Sequence, residues 1–238
     1  MSSWPRLIVA LPLLALAVAV LVGLSAWQLS RDSYKNALEA EREARIAAGP
    51  LVPGAPGAAL SPEEIDYRRV AVEGSWDHEH TLTIAGRIRF GVRGEEVVVP
   101  LIPRNGDAAI LVNRGWYPLS ERERVLAGLS EKTAASIEGL ARYVPGSSAR
   151  QLAPGVWSRY DARSMGAALP YPVEPWSLIE GGLLEAQPAT PPPTLPIQGY
   201  LAYRNTVPHL EYAITWFGLA VVLLVTFYFR FRPRRGDG

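Results

Sequence analysis

Two long apolar runs lie near the ends of the chain, and the residues between them are mixed and rich in turn formers. Residues 7–29 are 23 residues without a charged side chain, which as a helix measure about 34 Å and can cross a bilayer core. Residues 212–229 are 18 uncharged residues with aromatic side chains at both ends, a pattern typical of membrane interfaces. The pattern predicts transmembrane helices at 7–29 and 209–229. A cleaved signal peptide and a buried core helix are the respective alternatives.

The charges beside the second run predict its orientation. Four arginines follow it, namely Arg230, Arg232, Arg234 and Arg235. The seventeen residues before the run carry only one, Arg204. The positive-inside rule therefore places the basic tail 230–238 in the cytoplasm, and two spans place residues 1–6 there too. We thus expect a multi-pass protein of the cell (inner) membrane, with both termini cytoplasmic and the central part extracytoplasmic.

Between the runs the hydrophobic period changes from helical to alternating. Residues 30–66 predict a helical extension to residue 48 and then a Pro/Gly linker, because the first part lacks both residue types. Residues 67–184 predict a β-rich domain. The first predicted strand starts at Tyr67. The others cover 81–88, 97–99, 109–112, 136–144, 156–160 and 176–179. Residues 185–208 predict a stiff Pro-rich segment that returns to the second span.

Two short helices are also predicted, at 120–129 with Ser120 as its cap and Glu123 three residues on, and at 161–169. The fold class expected is membrane-anchored α+β. Two antiparallel terminal transmembrane helices would hold a β-rich extramembrane domain, a small barrel or a sandwich. A sharp turn is expected at 113–118, after an apolar strand, because the segment contains Gly and Pro.

Composition excludes several kinds of chemistry. The chain has no cysteine, which excludes disulfides, thiolate metal sites and cysteine nucleophiles. Its formal net charge is +1, which gives no reason to expect a nucleic-acid partner. No phosphate-binding loop or nucleophile elbow is present in the sequence.

The sharpest candidate for a binding residue is His209, just before the second apolar run. At 100° per residue it shares a helix stripe with two aromatic and two small residues, Tyr212, Ala213, Trp216 and Ala220. Neutral imidazole is a good axial ligand for haem iron, so His209 could hold a haem. The alternative is an interfacial histidine bonded to lipid headgroups, with the stripe packed on the first span.

The first span ends with Trp27, Gln28 and Arg31, which an antiparallel helix pair would place beside His209. Arg31 could pair with a carboxylate such as a haem propionate, or extend to the membrane interface. Two further candidates lie in the central domain. His78 and His80 lie in a predicted strand or its turn. In a strand they would share one face and could bind a metal, or they could simply be exposed. Arg114 could be catalytic or paired internally.

Several segments occur in an order that resembles the Surfeit locus protein 1 family. They are Ala26-Trp-Gln-Leu-Ser-Arg31, Tyr67-Arg-Arg-Val-Ala-Val-Glu-Gly-Ser-Trp76, Pro100-Leu-Ile, Ile110-Leu-Val-Asn-Arg-Gly-Trp116, Trp157-Ser-Arg-Tyr-Asp161 and His209-Leu-Glu-Tyr-Ala-Ile-Thr-Trp-Phe-Gly-Leu-Ala220. The chain departs from the family where Arg204-Asn-Thr-Val-Pro precedes His209 in place of Asn-Asn-His, and where Ser25 replaces a glycine.

The resemblance implies an assembly factor for haem–copper cytochrome c oxidase, not an enzyme. It implies that haem a is bound through the position of His209. The helix stripe and the outer end of the first span then predict further contacts from Tyr212, Trp216, Trp27 and Arg31. The implied partners are the catalytic subunit of the oxidase, haem a synthase and membrane lipid. A scaffold without cofactor chemistry is the alternative. A membrane-anchored sensor or hydrolase is disfavoured, because only about nine residues follow the second span and no catalytic constellation converges.

Overall fold

The computed structural model describes residues 4–53, 60–106, 108–130, 133–146, 149–184, 194–201 and 207–232. The chain divides into two compact units. One unit consists of Met1–Glu41 with Arg204–Gly238, and the other is Arg42–Tyr203. The first unit is helical and the second is sheet-rich, so apolar helices and alternating strands occupy separate parts of the chain.

Two long helices form the first unit. Helix α1 (Trp4–Ala47) runs without interruption through the apolar run and its polar extension, with Pro12 inside it. The second long helix is also apolar and runs from His209 to Phe231. Both helices are long and apolar enough to cross a membrane by length and composition, which suggests membrane association.

In the part of the second unit that the structure describes, there are ten strands and three short α-helices. The strands are β1 (Arg69–Trp76), β2 (Leu82–Arg89), β3 (Val92–Pro103), β4 (Ala109–Pro118), β5 (Ala134–Arg142), β6 (Gln151–Ala153), β7 (Val156–Trp157), β8 (Val173–Glu180), β9 (Leu183–Leu184) and β10 (Tyr200–Leu201). The helices are α2 (Pro62–Ile65), α3 (Arg122–Ser130) and α4 (Ala162–Gly166), which makes the terminal helix α5.

Eight strands form one sheet in the order β1-β5-β8-β4-β3-β2-β7-β6, and β1 also pairs with β3. Five strands are therefore joined in a closed cycle of hydrogen-bonded pairs, β1-β5-β8-β4-β3-β1. Most pairs are antiparallel, but β4 runs parallel to β8 and β2 runs parallel to β7. The strand β4 is buried at nine of its ten positions, as expected for a strand between two neighbours.

The core of the sheet consists of alternate strand residues that pack with the two helices α2 and α3. Its fully buried members include Val70, Val97, Val99, Leu101 and Val112. Ile65 of α2 and Val125 of α3 belong to the same cluster. A smaller cluster contains Ile84, Leu111 and Met165. Burial of this apolar surface is the main favourable term for the unit, at about 25 cal/mol per Å².

The predicted turn at 113–118 is wrong, because the whole segment lies in β4. Gly115 has φ of +122°, and the β3–β4 register shifts between Val97 and Val98. The glycine therefore allows a bulge inside the strand and does not end it. The backbone N–H and carbonyl of Trp116 are both hydrogen-bonded to Ile197, with which it forms an antiparallel bridge.

Several predicted helix and strand limits are also wrong. Ser120 does not cap a helix: it lies in a 3₁₀ turn, Leu119–Glu121, and α3 begins at Arg122. A capping box exists at Ser61 and Glu64, inside the segment predicted as linker, and it starts α2. The strand predicted at 156–160 ends at Trp157. The helix predicted at 161–169 is shorter, with Asp161 as its cap.

The predicted Pro-rich return segment, 185–208, is only partly described. Residues 185–193 and 202–206 lie outside the described residues. The part from 194 to 201 belongs to the sheet-rich unit, because Ile197 bridges Trp116 and β10 pairs in parallel with β9. The segment is thus integrated into the domain there, whereas the sequence pattern predicted only a connecting strap.

Candidate functional site

The two terminal helices carry matching stripes of buried and half-buried residues with spacings of three and four. In α5 the stripe is His209, Ala213, Trp216, Ala220, Leu223 and Phe227. In α1 it is Leu7, Ala10, Leu14, Ala17, Leu21, Leu24 and Gln28. A repeat of 3.5 residues is the pattern of helices that pack along a shared seam. Ala213 and Ala220 are each 2% exposed, so small residues let the seam close tightly.

Two hydrogen bonds join the helices at one end of this seam. The Nδ1 atom of His209 lies 2.7 Å from Oε1 of Gln28. One turn away, the hydroxyl of Ser25 donates to the carbonyl oxygen of Ala213 over 2.9 Å. Both contacts lie among apolar side chains, where an unsatisfied polar group is costly. They fix the antiparallel register and place the imidazole against the first helix.

The imidazole of His209 is therefore a well-defined feature. His209 is 9% exposed and begins α5, directly after Pro208. Proline at this point is compatible with a helix start because no backbone N–H is needed there. The contact with Gln28 thus holds the imidazole in place where the two helices begin to pack.

The other predicted site residues are arranged less closely than the sequence pattern suggested. Tyr212 is 47% exposed and lies outside the buried stripe, because the seam follows Ala213 instead. Trp216 is half-buried within the stripe. Trp27 is 57% exposed, beside Gln28 in the chain. The guanidinium of Arg31 lies 5.5 Å from the ring centre of Tyr34, on the exposed side of α1.

Gln28 belongs to this site although it was not among the predicted cofactor contacts. Its position in the sequence gave a signal: it is a strongly polar side chain in an apolar run, one turn beyond Ser25. A polar side chain at such a position is expected to find a specific partner. The sequence alone could not show which of the nearby residues that partner is.

His78 and His80 do not share a strand face, because both lie in the turn between β1 and β2. The Nδ1 of His80 is 2.7 Å from Asp77 Oδ2, and the same oxygen accepts the hydroxyl of Tyr171 over 2.6 Å. His78 packs against the ring of Trp76. Among the described residues no group of three or more metal-ligating side chains is found. The hydrogen bonds of Asp77 with His80 and Tyr171 therefore hold this turn in place.

This turn makes the stability of the sheet-rich unit sensitive to acid. Burial raises the pKa of Asp77, but hydrogen bonds from Tyr171 and His80 outweigh it and leave that pKa below its ordinary value. A lowered carboxyl pKa gives stability that is present above the unfolded pKa, about 3.9, and is lost as the pH falls through the folded value. Asp77→Asn is expected to flatten the fall in thermal midpoint between about pH 5 and 3. Tyr171→Phe, which removes one donor, should give an intermediate slope; an unchanged slope in both would contradict the assignment.

Arg114 is paired internally. Its Nε donates to Glu180 over 2.8 Å, and its guanidinium lies 4.3 Å from the ring centre of Trp76. It lines a cavity of about 620 Å³ between α3 and residues 194–198. A second arginine at this cavity, Arg124, is bonded to Glu121 over 2.7 Å. Each of the two guanidinium groups is thus paired with a carboxylate, and the contacts of Arg114 are those of a residue that holds the fold together.

The chain therefore combines two long apolar helices, a sheet-rich domain that lies between them in the sequence, and a buried histidine where the helices meet. The sequence model of the SURF1 family matches residues 15–221. A SURF1-like protein of Monosiga brevicollis is 27% identical over 88% of this chain and 83% of its own length. A SURF1-like protein of Rickettsia felis is 28% identical over 87% and 90%, respectively. Surfeit locus protein 1 of Mus musculus is 27% identical over 93% of this chain and 75% of its own.

The chain belongs to the SURF1 family. Members of this family are generally cytochrome oxidase assembly factors and not catalytic enzymes. The family match includes α1 from Ala15 onward, the sheet-rich unit and the first half of α5, so it covers both residues of the His209–Gln28 contact.

Proposed function

We propose that this chain is a membrane-anchored assembly factor for haem–copper cytochrome c oxidase that binds haem a and helps to insert it into the catalytic subunit. The observation that carries the proposal is the contact between His209 Nδ1 and Gln28 Oε1, at 2.7 Å. The contact holds the imidazole ring in place at one end of the helix pair. Haem iron commonly takes an imidazole nitrogen as an axial ligand.

The residues present fit a haem. The donor is an imidazole at the edge of an apolar helix pair, and the neighbouring Trp27 and Tyr212 expose flat aromatic faces that could cover a macrocycle. Arg31 is exposed on α1 and could pair with a propionate. When bound, the haem would supply the iron and the redox chemistry destined for the oxidase. The chain's own residues would bind it, orient it and keep it from water.

The wider architecture follows from the same proposal. Helices α1 and α5 would span the inner membrane with both termini cytoplasmic, because the arginines after the second apolar run favour that side. The closed cycle of β1, β5, β8, β4 and β3 supports a small barrel for the central domain. In this arrangement His209 would lie near the outer surface, within reach of the oxidase catalytic subunit and a haem a synthase.

The test is haem content after purification. The full-length protein should be expressed in a host that makes haem a, solubilised in detergent, and examined by Soret absorbance and haem extraction. His209→Ala is expected to lower bound haem a at least about tenfold, because the axial ligand is lost. His80→Ala, a matched imidazole in the central domain bonded to Asp77, should leave haem content unchanged. Haem a retained by His209→Ala would contradict the ligand assignment.

A scaffold without a cofactor is the second candidate, and the burial of His209 at 9% exposure favours it. In that case the histidine serves only to join the helices. The same purification separates the two functions. If the unmutated protein is a scaffold, it should co-purify with the oxidase subunit and show no Soret band. If it is a haem-binding factor, it should show the Soret band even in the absence of the subunit.

A further inference from the structure

A cavity of about 620 Å³ in the sheet-rich unit plays no part in the proposed function. It lies between α3 and residues 194–198, and all of the described residues that line it belong to this unit. Cavities of about 300–1,000 Å³ are typical of sites for small organic ligands. One wall is apolar and consists of Val125, Leu129 and residues 195–197. The cavity can therefore hold an apolar body of small-molecule size.

The charged part of the cavity lining is cationic. Arg114 and Arg124 both line it, and no acidic residue is among the described residues that do. The carboxylates that pair with these arginines belong to Glu180 and Glu121, which lie outside the lining. Each pair uses the Nε donor of its arginine, and a guanidinium has five N–H donors. The two side chains thus retain donors for a further acceptor.

Arg114 is the more constrained of the two arginines. It is 8% exposed, and its guanidinium lies over the ring of Trp76. Its Nη1 is buried and has no hydrogen-bond partner in the part of the chain that the structure describes. A buried N–H donor without an acceptor costs free energy, and such groups in folded proteins are satisfied by protein, water or a bound ion. The acceptor expected for this donor is therefore water or an oxygen of a ligand.

We propose that this cavity binds an organic anion, whose carboxylate or phosphate oxygens accept hydrogen bonds from Arg114 and Arg124 while its apolar body packs on α3 and residues 195–197. The planar guanidinium matches both kinds of head group, because two parallel N–H groups can bind two oxygens of the same anion. Thr194 and Gln198 border the same cavity and are further hydrogen-bond donors there. The site does not depend on whether the chain binds haem.

The competing explanation is a water-filled cleft whose arginines only hold the fold together. Gly128 separates the two explanations, because it lines the cavity and a Cβ built on it would meet no heavy atom within 4 Å. It lies one turn after Arg124 on the same face of α3, so Gly128→Leu would fill space beside that guanidinium. Ala127→Leu is the matched control, because Ala127 is an exposed residue of the same helix outside the cavity lining.

Arg124→Gln tests the positive charge itself. The side chain of Arg124 is 71% exposed, so its replacement leaves the core intact. Arg69→Gln is the matched control, because Arg69 also pairs with a glutamate at the surface, Glu138, and lies outside the cavity lining. These variants are expected to fold, whereas Arg114→Gln would also break the pair with Glu180.

The experiment is isothermal titration calorimetry of the full-length protein in phosphatidylcholine nanodiscs, with empty nanodiscs as the blank for partition into lipid. The probes share one apolar body: naphthalene-2-carboxylate, 2-naphthyl phosphate and the neutral naphthalene-2-carboxamide. We expect at least one of the two anions to bind about tenfold or more tightly than the amide, because hydrogen bonds between charged groups are the stronger ones. Tighter binding of the carboxylate would indicate an organic acid as the natural ligand, and tighter binding of the phosphate would indicate a phosphate ester.

Gly128→Leu and Arg124→Gln are each expected to weaken binding of the preferred anion by about tenfold or more. Ala127→Leu and Arg69→Gln should stay within about twofold of the unmutated protein. Equal binding of the anions and the amide would overturn the proposal, and so would the absence of binding by both anions. Losses in the two control variants as large as in Gly128→Leu and Arg124→Gln would also overturn it. Haem content plays no part in these measurements, so the proposed function can fail while this site stands, and the reverse.

Discussion

Replacing Gly115 by alanine is expected to cause one of the largest losses of stability available to a single substitution in the sheet-rich unit. Gly115 has φ of +122°, which an L-residue rarely adopts, and this strain costs about 1–3 kcal/mol. A Cβ at this position would also lie 2.5 Å from the carbonyl oxygen of Ile197. Because that oxygen accepts the backbone N–H of Trp116, it cannot move without breaking the bridge. Overpacking adds about 1–3 kcal/mol.

The measurement is equilibrium urea unfolding of the full-length protein in detergent, followed by the fluorescence of its seven tryptophans. Gly128→Ala is the matched control, because a Cβ there would have no heavy atom within 4 Å and the residue lies in α3. Alanine is the better helix former, so this variant should be stabilised by about 0.5–1 kcal/mol. Equal effects at the two positions would contradict the bulge at Gly115.

Removing Asp66 is the second substitution with a large expected effect. Its Oδ1 accepts Arg142 Nε over 2.9 Å and the backbone N–H of Tyr143 over 2.9 Å. The guanidinium of Arg142 is also enclosed by two rings, those of Tyr67 at 4.0 Å and Tyr200 at 4.5 Å. Asp66→Ala leaves this cation without its counter-ion. Breaking a buried pair costs about 3–5 kcal/mol, and since Asp66 keeps 21% side-chain exposure we expect about 2–4 kcal/mol.

The same unfolding measurement tests this expectation against an exposed pair. Glu73 and Arg104 lie 3.0 Å apart, with side-chain exposures of 61% and 71%. Glu73→Ala should therefore change the free energy of unfolding by at most about 1 kcal/mol. Asp66→Asn, which keeps an acceptor for Tyr143, should fall between the two. A loss for Glu73→Ala as large as for Asp66→Ala would show that burial is not what gives the Arg142 pair its importance.

Local chemistry made some parts of the fold predictable. The apolar run at 7–29 and its Pro- and Gly-free extension predicted one continuous helix, and α1 runs from Trp4 to Ala47. Alternation of apolar and polar residues marked the long strands. It did not mark β6, β9 or β10, which have only two or three residues. Strands this short have no period to detect, and they form where a neighbouring segment offers them hydrogen bonds.

The turn expected at 113–118 failed for a related reason. Glycine and proline indicate a turn when a strand is considered alone, but Gly115 lies at a bulge within β4, opposite Val97 of β3, and Pro118 is at the end of β4. There the pairing partner, which is distant in sequence, outweighed the local preference. Ser120 likewise had the right neighbours for a helix cap, yet it lies in a 3₁₀ turn that precedes α3.

The sequence by itself determined the two apolar helices, the β-rich character of the middle and the histidine at the start of α5. These depend on hydrophobic period and residue type, which are local properties. Only the tertiary structure decided that His209 meets Gln28, that Tyr212 lies off the seam, and that His80 pairs with Asp77. The physical reason is that two helices with several apolar faces can pack in many registers, and the register is chosen by which polar groups can be satisfied together when the seam closes.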